Sequence, residues 1–298
     1  MTVQGGEDHL AWIELQLPLG LPGSGRQRYA AAMHLYRRGL LSADILEAYR
    51  VCSPKDWEDP DLLLAARRIR PVEKVAVPAD RAIARLIEEI DRYLSGFSGV
   101  GVAEVRGRIA RWSGGGVRPK PGKGNPVVDA NLGPALSALE QTHPALADAI
   151  SVASPHLSWI TYGEYPPDEI GAAFLSGHAF ASLIGGGAPI HAAEFDLGLF
   201  IIAPDVLYRD HAHPAPELYA PLTGPHGWRF GPETPLVIKP AHVPVWNRPH
   251  APHMTKVGPV PFLCIFGWTQ DVDLPAYVLP ARDWAGLESL KIGERDGS

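Results

Sequence analysis

The sequence predicts an α+β protein, in which a mainly helical region of residues 1–190 precedes an antiparallel β-barrel of residues 191–298. Apolar residues recur at helical spacing in the first half of the chain. From Glu194 onward, short runs of β-forming residues are broken by Pro and Gly about every 8–12 residues, which is typical of a sandwich or barrel. Six of the 12 histidines lie between His211 and His253, so this barrel is also where we expect the chemistry.

The first half predicts helices with recognisable beginnings. Ser42 is a typical N-cap, and Asp59 before Pro60 combines a capping side chain with a proline in the first turn. The strongest pattern is that of residues 79–94, because its apolar side chains recur every three or four positions. The predicted helices span residues 26–38, 42–49, 59–70, 79–94, 134–150 and 167–184.

Strands and one loop complete the predicted elements. The stretch 112–125 is rich in Gly, Pro and Lys and has no periodicity, so it predicts a mobile loop or linker. The predicted strands lie within residues 195–202, 208–219, 235–239, 261–268 and 276–281.

Composition narrows the classes of function. The formal net charge is −6, which disfavours a general nucleic-acid binder. No apolar run approaches the roughly 20 residues that span a bilayer, and the N-terminus lacks the features of a secretory signal. Two cysteines are too few for a disulfide framework. We therefore expect a soluble cytoplasmic protein that acts on a small molecule, without nucleic-acid or membrane partners.

The segment 208–219 holds the strongest motif. Its four residues with metal-binding or acid–base side chains that share odd numbers are His211, His213, Glu217 and Tyr219. Side chains alternate between the faces of an extended strand, so these four can all point into a barrel. Two imidazoles and a carboxylate form a facial set for a divalent transition metal, with open positions for substrate. A further histidine from a later strand would complete a site of three histidines and one glutamate.

A surface turn with solvated histidines is the alternative interpretation, and a lone His-x-His pair does not exclude it. The longer pattern that includes Glu217 and Tyr219, between β-rich runs, is more specific. Gly224, seven residues after Glu217, suits a turn that ends a strand pair.

The pattern H-x-H-x3-E-x6-G resembles the first cupin motif, and the whole of residues 208–228 resembles the cupin-type dimethylsulfoniopropionate (DMSP) lyases. The resemblance covers roughly residues 159–273. It implies a cupin domain, which is a double-stranded β-helix. The site residues that it implies are His211, His213 and Glu217 as metal ligands, with Tyr208 and Tyr219 as catalytic residues.

The fourth ligand is less well defined. Residues 252–273 resemble the second motif of the family, in which a metal-binding histidine precedes a strand that ends in Trp. His253 fits best, because its distances in sequence to Pro261 and Trp268 match that strand. His250 stays an alternative, and His242 is a weaker one.

The resemblance implies a carbon–sulfur lyase that splits DMSP into dimethyl sulfide and acrylate by β-elimination. One divalent transition metal (Zn, Fe, Mn, Ni or Co) would bind the substrate carboxylate. Tyr219 would be the base. Tyr208 has the opposite parity on the strand, so it needs a bulge to reach the site, where it would form hydrogen bonds or serve as a second base.

The leaving group is a sulfonium cation, so the pocket should offer aromatic faces. Trp268 and Trp228 are the candidates for substrate binding, with Tyr162 or Trp159 as additions from the helical region.

Other functions stay open at this point. Cupins host many reactions, so an Fe-dependent dioxygenase or an isomerase on another small carboxylate is one alternative, and a non-catalytic ligand sensor is another. Tyr219 disfavours an oxygenase, which needs no phenol base there. Cupins often pair through their sheets, so the resemblance also allows a homodimer.

Overall fold

A computed structural model describes residues 3–73, 75–112 and 116–293 of the chain. Contacts within the chain divide it into two compact units, one of residues 1–78 and 143–148 and the other of residues 79–142 and 149–298. All the strands formed by the described residues belong to the second unit. The boundary expected after residue 190 stays a prediction, although the first strand already begins at His178.

Helices form most of the chain before the strands. They are α1 (Val3–Glu14), α2 (Ser24–Arg37), α3 (Ala43–Cys52), α4 (Pro60–Ala66), α5 (Ala79–Leu94), α6 (Val100–Trp112), α7 (Pro126–Glu140), α8 (Pro144–Ala153), α9 (Pro167–Ile170) and α10 (Ala172–Gly177), with α11 (Trp284–Ser289) after the last strand. Ser42 caps α3 by accepting a hydrogen bond from the Ile45 amide, and Asp59 caps α4 through the Asp61 amide, as the sequence predicts.

Eleven strands were assigned within the described residues. They are β1 (His178–Gly185), β2 (Ile190–His191), β3 (Asp196–Ile202), β4 (Leu207–Ala212), β5 (Glu217–Pro221), β6 (His226–Arg229), β7 (Val237–Lys239), β8 (Val245–Asn247), β9 (His253–Lys256), β10 (Phe262–Trp268) and β11 (Tyr277–Val278). They form one sheet in the order β2-β1-β3-β10-β5-β8 and a second in the order β11-β4-β9-β6-β7. All pairs are antiparallel except β1 with β2.

One hydrophobic core contains side chains from both sheets. Phe200 of β3 and Tyr219 of β5 come from the first sheet, and Tyr208 of β4 and Trp228 of β6 come from the second. The inner faces of the two sheets therefore meet around these aromatic rings. Helices combined with these mainly antiparallel sheets give the α+β class that the sequence predicts.

Two helix predictions are wrong. The helix expected at 134–150 is two helices, α7 and α8, separated by residues 141–143. The helix expected at 167–184 is two short helices, α9 and α10, broken at Gly171 and ending at Gly177. Its last seven residues form most of β1, which is buried along most of its length. A buried strand reads as a continuous apolar run, which periodicity does not distinguish from a buried helix.

The predicted loop at 112–125 lies partly outside the described residues, because 113–115 are among those not described. Within it, the Arg118 amide bonds to the Pro189 carbonyl and Lys123 pairs with Ser158 as an isolated bridge. These contacts anchor the second half of the segment. None of the described helices has the length and apolar character needed to cross a membrane.

Candidate metal centre

Three histidines converge where β4 and β9 pair. His211 of β4 lies directly opposite His253 of β9, and their ring centroids are 4.0 Å apart. His213 follows β4, with its ring centroid 5.0 Å from that of His253. All three rings are buried, and each offers a nitrogen that lies within 4.8 Å of the others.

Backbone carbonyls orient each of the three rings. The Nδ1 atoms of His211, His213 and His253 lie 2.8, 2.8 and 2.9 Å from the carbonyl oxygens of Arg209, Ala215 and Ala251. A carbonyl oxygen only accepts, so each Nδ1 carries the proton and each Nε2 presents a lone pair. The Nε2 atoms of His211 and His253 are buried without a hydrogen-bond partner. Metal-binding histidines are typically oriented in this way.

Glu217 lies against two of these nitrogens. Its Oε2 is 3.1 Å from His213 Nε2 and 3.3 Å from His253 Nε2. Burial opposes ionisation of Glu217, but when His213 and His253 carry a second proton their positive charge outweighs burial and holds the pKa of the carboxyl well below its usual value. A carboxylate that faces imidazole lone pairs at this distance is stabilised by a cation between them. The donor set therefore fits a divalent metal, which suits three nitrogens and one oxygen.

The expectation that one extended strand carries the motif is wrong. His211 belongs to β4 in one sheet, whereas Glu217 begins β5 in the other. Residues 213–216 form the connection, which includes Pro214 and Pro216. The side chains meet because the two sheets face each other, and residue parity does not bring them together.

Two side chains hold the Glu217 carboxylate in place. The indole Nε1 of Trp268 donates to Oε1 at 2.6 Å, and the amide of Asn247 donates to Oε2 at 3.2 Å. Both residues pair with Glu217 across strands, since β5 lies between β10 and β8. Asn247 was missed by the sequence analysis, because a single asparagine 30 residues from Glu217 carries no motif signal.

A cavity of about 180 Å³ opens beside the centre. Aromatic rings dominate its lining, among them Tyr162, Tyr165, Phe174, Tyr208, Tyr219 and Trp268. Two carboxylates, those of Glu217 and Asp196, also line it. A cavity of this size suits a small molecule rather than a polymer.

Both tyrosines of the predicted site face this cavity. The register of β4 against β9 shifts between Tyr208 and His211, which is the irregularity that Tyr208 needs to point inward. The Tyr208 hydroxyl lies 2.7 Å from that of Tyr165, a residue that the sequence analysis did not identify. Burial raises the pKa of Tyr208 and of Tyr219 well above the usual value, and the charge of Glu217 adds to this for Tyr219.

The other predicted residues occupy different places. Tyr162 lines the cavity. Trp228 is 1% exposed and packs against Tyr219 and Phe262 in the core, and it is not among the residues that line the cavity. Trp159 is buried and donates to Ser154.

A turn explains why His250 and His253 differ. The Ala251 amide bonds to the Arg248 carbonyl, with Pro249 second in the turn and His250 third at a φ of 59°. Proline followed by a left-handed residue is the arrangement of a type II turn. His250 is therefore exposed at the corner and hydrogen-bonds with Tyr277, whereas His253 begins β9 and points inward. His242 contacts Tyr93 and Thr142, away from the three histidines.

The fold and the donor set define a cupin with a candidate metal centre. The sequence model of the DMSP (dimethylsulfoniopropionate) lyase family matches residues 115–264, half of the chain, and the protein belongs to this family. The predicted family and the predicted lyase class are thereby confirmed. No curated protein matches the chain.

Solved structures resemble the chain at low sequence identity. A chain from the crystal structures of the DMSP lyases RdDddP and RnDddQII has a TM-score of 0.51 and 17% identity, covering 68% of this chain and 100% of that chain. The DMSP lyase DddQ from Ruegeria pomeroyi DSS-3 gives 0.48 and 21%, covering 67% and 96%. A cupin-like protein from Thermotoga maritima gives 0.32 and 17%, covering 39% and 86%. The first of these supports the cupin fold.

Proposed function

We propose that the protein cleaves DMSP into dimethyl sulfide and acrylate by β-elimination. Membership of the family supports the reaction class. One observation supports its placement at this site: Glu217, Tyr208 and Tyr219 face a single small cavity beside three oriented histidines. We also infer that the two sheets close into a barrel around the cavity, because their inner faces share one core.

The proposed metal ligands are the Nε2 atoms of His211, His213 and His253 and the carboxylate of Glu217. This set accommodates Zn, Fe, Mn, Ni or Co. When bound, such a cation supplies Lewis-acid stabilisation of the charge that develops on the substrate carboxylate, and it favours ionisation of a neighbouring phenol.

Tyr219 is the proposed base. Its oxygen takes a proton from the carbon next to the substrate carboxylate, and the electron pair of that bond forms the carbon–carbon double bond of acrylate. The carbon–sulfur bond breaks, and its electrons leave with sulfur as neutral dimethyl sulfide. Burial keeps the pKa of Tyr219 high in the absence of a cation, so the base role depends on the adjacent centre being occupied.

Tyr208 and Trp268 have supporting roles in this proposal. The hydrogen bond between the hydroxyls of Tyr208 and Tyr165 orients Tyr208 toward the cavity, where it can bind the substrate or serve as a second base. Trp268 lines the cavity while its Nε1 is bonded to Glu217. The His213 ring packs against one face of the indole, with centroids 4.5 Å apart, so the opposite face is the one proposed to bind a sulfonium group. A substrate contact for Trp228 stays a prediction.

Headspace detection of dimethyl sulfide from purified protein and DMSP tests the function. We expect gas from the wild type, a loss of about 10²–10⁴-fold in Tyr219→Phe, and loss of both metal and activity in His211→Ala. Tyr219→Phe should retain its metal. The matched control is Tyr36→Phe, at an exposed tyrosine of α2, which should behave as wild type.

Two outcomes would contradict the proposal. A wild-type protein that contains its metal but releases no gas is not a DMSP lyase. Undiminished gas from Tyr219→Phe would remove that residue from the mechanism and leave Tyr208 as the candidate base.

A further inference from the structure

Asp196 is an acid in the cavity that the proposed reaction does not use. It begins β3 on the same face as Phe200 and Ile202, which lie in the core between the sheets. Its Oδ1 is buried and has no hydrogen-bond partner. Burial raises the pKa of Asp196 to about 6, although a hydrogen bond with Ser182 opposes this. Oδ1 lies on the β1 side of the residue, beside Gly185, while Asp196 as a whole lines the cavity. Burying an ionised carboxylate costs free energy unless an opposite charge compensates it.

The cavity contains no basic side chain that could pair with this acid. Among the described residues that line it there is no Lys or Arg, and the single histidine, His178, has both ring nitrogens occupied by the backbone. The remaining lining is aromatic or aliphatic apart from Glu217. A negative group surrounded by aromatic faces is a typical environment for an organic cation.

Strand register places Asp196 at one end of a row of three residues paired across neighbouring strands, and Glu217 of the metal centre is at the other end. Asp196 of β3 pairs with Trp268 of β10, and Trp268 pairs in turn with Glu217 of β5. Neighbouring strands are about 4.8 Å apart, so the backbones of Asp196 and Glu217 are separated by about 10 Å. The indole of Trp268 lies between the two acids. A short acid chain whose carboxylate is held at the centre therefore extends across this indole toward Asp196.

We propose that Asp196 is the counter-ion for the cationic end of the substrate and selects small carboxylates that carry an onium group. The inference rests on the proposed function, which supplies a sulfonium at that end. Trp268 provides the ring face beneath the cation, and Asp196 provides the charge.

The chemistry of elimination defines what this residue does to the kinetics. The sulfonium loses its positive charge as the carbon–sulfur bond breaks, so attraction to Asp196 is stronger in the bound substrate than in the transition state. Asp196 is therefore a specificity residue that lowers KM and does not raise kcat.

Binding of two matched ligands tests the inference without catalysis. One is β-alanine betaine, which carries a trimethylammonium group in place of the dimethylsulfonium group. The other is an isostere that lacks the positive charge, in which an uncharged tert-butyl group replaces trimethylammonium and the carboxylate end is unchanged. Calorimetry on protein of measured metal content should show that the wild type prefers the betaine. Asp196→Asn should lower betaine affinity at least about tenfold and change isostere affinity less than about twofold.

Two further variants separate charge from structure. Asp196→Glu keeps the charge and should retain a preference for the betaine. Asp273→Asn removes an exposed carboxylate between β10 and β11 with the same change in net charge, and it should leave both affinities unchanged. With DMSP as substrate, Asp196→Asn should raise KM by the same factor as it weakens betaine binding, with kcat unchanged or higher.

Several results would overturn the inference. They are equal weakening of both ligands in Asp196→Asn, an unchanged preference in that variant, or a wild type that binds neither ligand. Failure of the lyase proposal gives a different result. If the wild type prefers the betaine through Asp196 but releases no dimethyl sulfide, the cation site is supported and the lyase proposal is wrong. Conversely, if the wild type releases dimethyl sulfide but Asp196→Asn does not change the KM for DMSP, the lyase proposal holds and the role of Asp196 is overturned.

Discussion

Two groups of buried histidines in the second unit differ in what their ring nitrogens contact. His211, His213 and His253 each donate one Nδ1 proton to a carbonyl and turn Nε2 toward the others or toward Glu217. His178 and His226 are as deeply buried, at 1% exposure, but both nitrogens of each are satisfied.

The satisfied pair shows what a structural histidine looks like in this fold. His178 donates from Nδ1 to the Phe174 carbonyl and accepts the Tyr162 amide at Nε2. His226 accepts the Gly258 amide at Nδ1 and bonds the Thr223 hydroxyl through Nε2. Burial alone therefore does not identify a metal ligand. The informative property is a buried ring nitrogen to which no protein group donates a hydrogen bond, in contrast to His178 Nε2 and His226 Nδ1.

The largest expected effect comes from removing one unpartnered nitrogen. His253→Ala should reduce bound metal from about one ion per chain to near zero, because a three-ligand remnant binds far more weakly. His226→Asn should retain full metal content, since neither nitrogen of that ring faces the centre. Elemental analysis by mass spectrometry of both purified variants checks the pair. Equal metal loss in both variants would show that the hydrogen bonding of the ring nitrogens does not distinguish metal ligands from structural histidines.

An intermediate effect concerns stability at low pH. Burial lowers the pKa of His178 and of His226 from 6.5 to about 4. Between these values the unfolded chain binds more protons than the folded chain, so the free energy of unfolding falls as the pH falls from about 6.5 to about 4. Each ring contributes up to about 3 kcal/mol to this loss at pH 4, at about 1.4 kcal/mol per pH unit.

Denaturant unfolding at several pH values, with a chelator present so that metal release does not contribute, measures this loss. His226→Asn should show a shallower decline than wild type. His191→Asn, at an exposed ring that is hydrated in both states, serves as the control and should follow wild type. A wild type whose unfolding free energy is constant over this range would contradict the burial argument.

The smallest expected effect separates the two candidates for the later histidine ligand. His250 is exposed at a turn corner, and its Nδ1 lies 3.1 Å from the Tyr277 hydroxyl. His250→Ala should therefore keep its metal and change activity less than about twofold, in contrast to His253→Ala. Metal content and gas release on the same preparation measure both. Loss of metal in His250→Ala, with metal retained in His253→Ala, would make His250 the later histidine ligand in place of His253.

The local part of this site could be predicted from the sequence. The spacing of His211, His213 and Glu217 predicted side chains that the structure brings together, because a short motif records which residue types the chain places close together. The caps at Ser42 and Asp59 were predictable for the same reason, since capping is a contact with an amide only two or three residues away. The helix expected at 167–184 was only partly correct, because tertiary burial turned its apolar end into β1.

Tertiary structure decided the rest. Asn247 and Asp196 reach the site only through the pairing of β8 with β5 and of β3 with β10, which are contacts between distant parts of the chain. The bulge that turns Tyr208 inward exists only in the register of β4 against β9. Sequence spacing determines which residues are neighbours within one segment, whereas strand pairing and register determine which distant segments lie side by side. The candidate donors could thus be predicted from residue types, but finding Asp196 in the same cavity required the folded sheet.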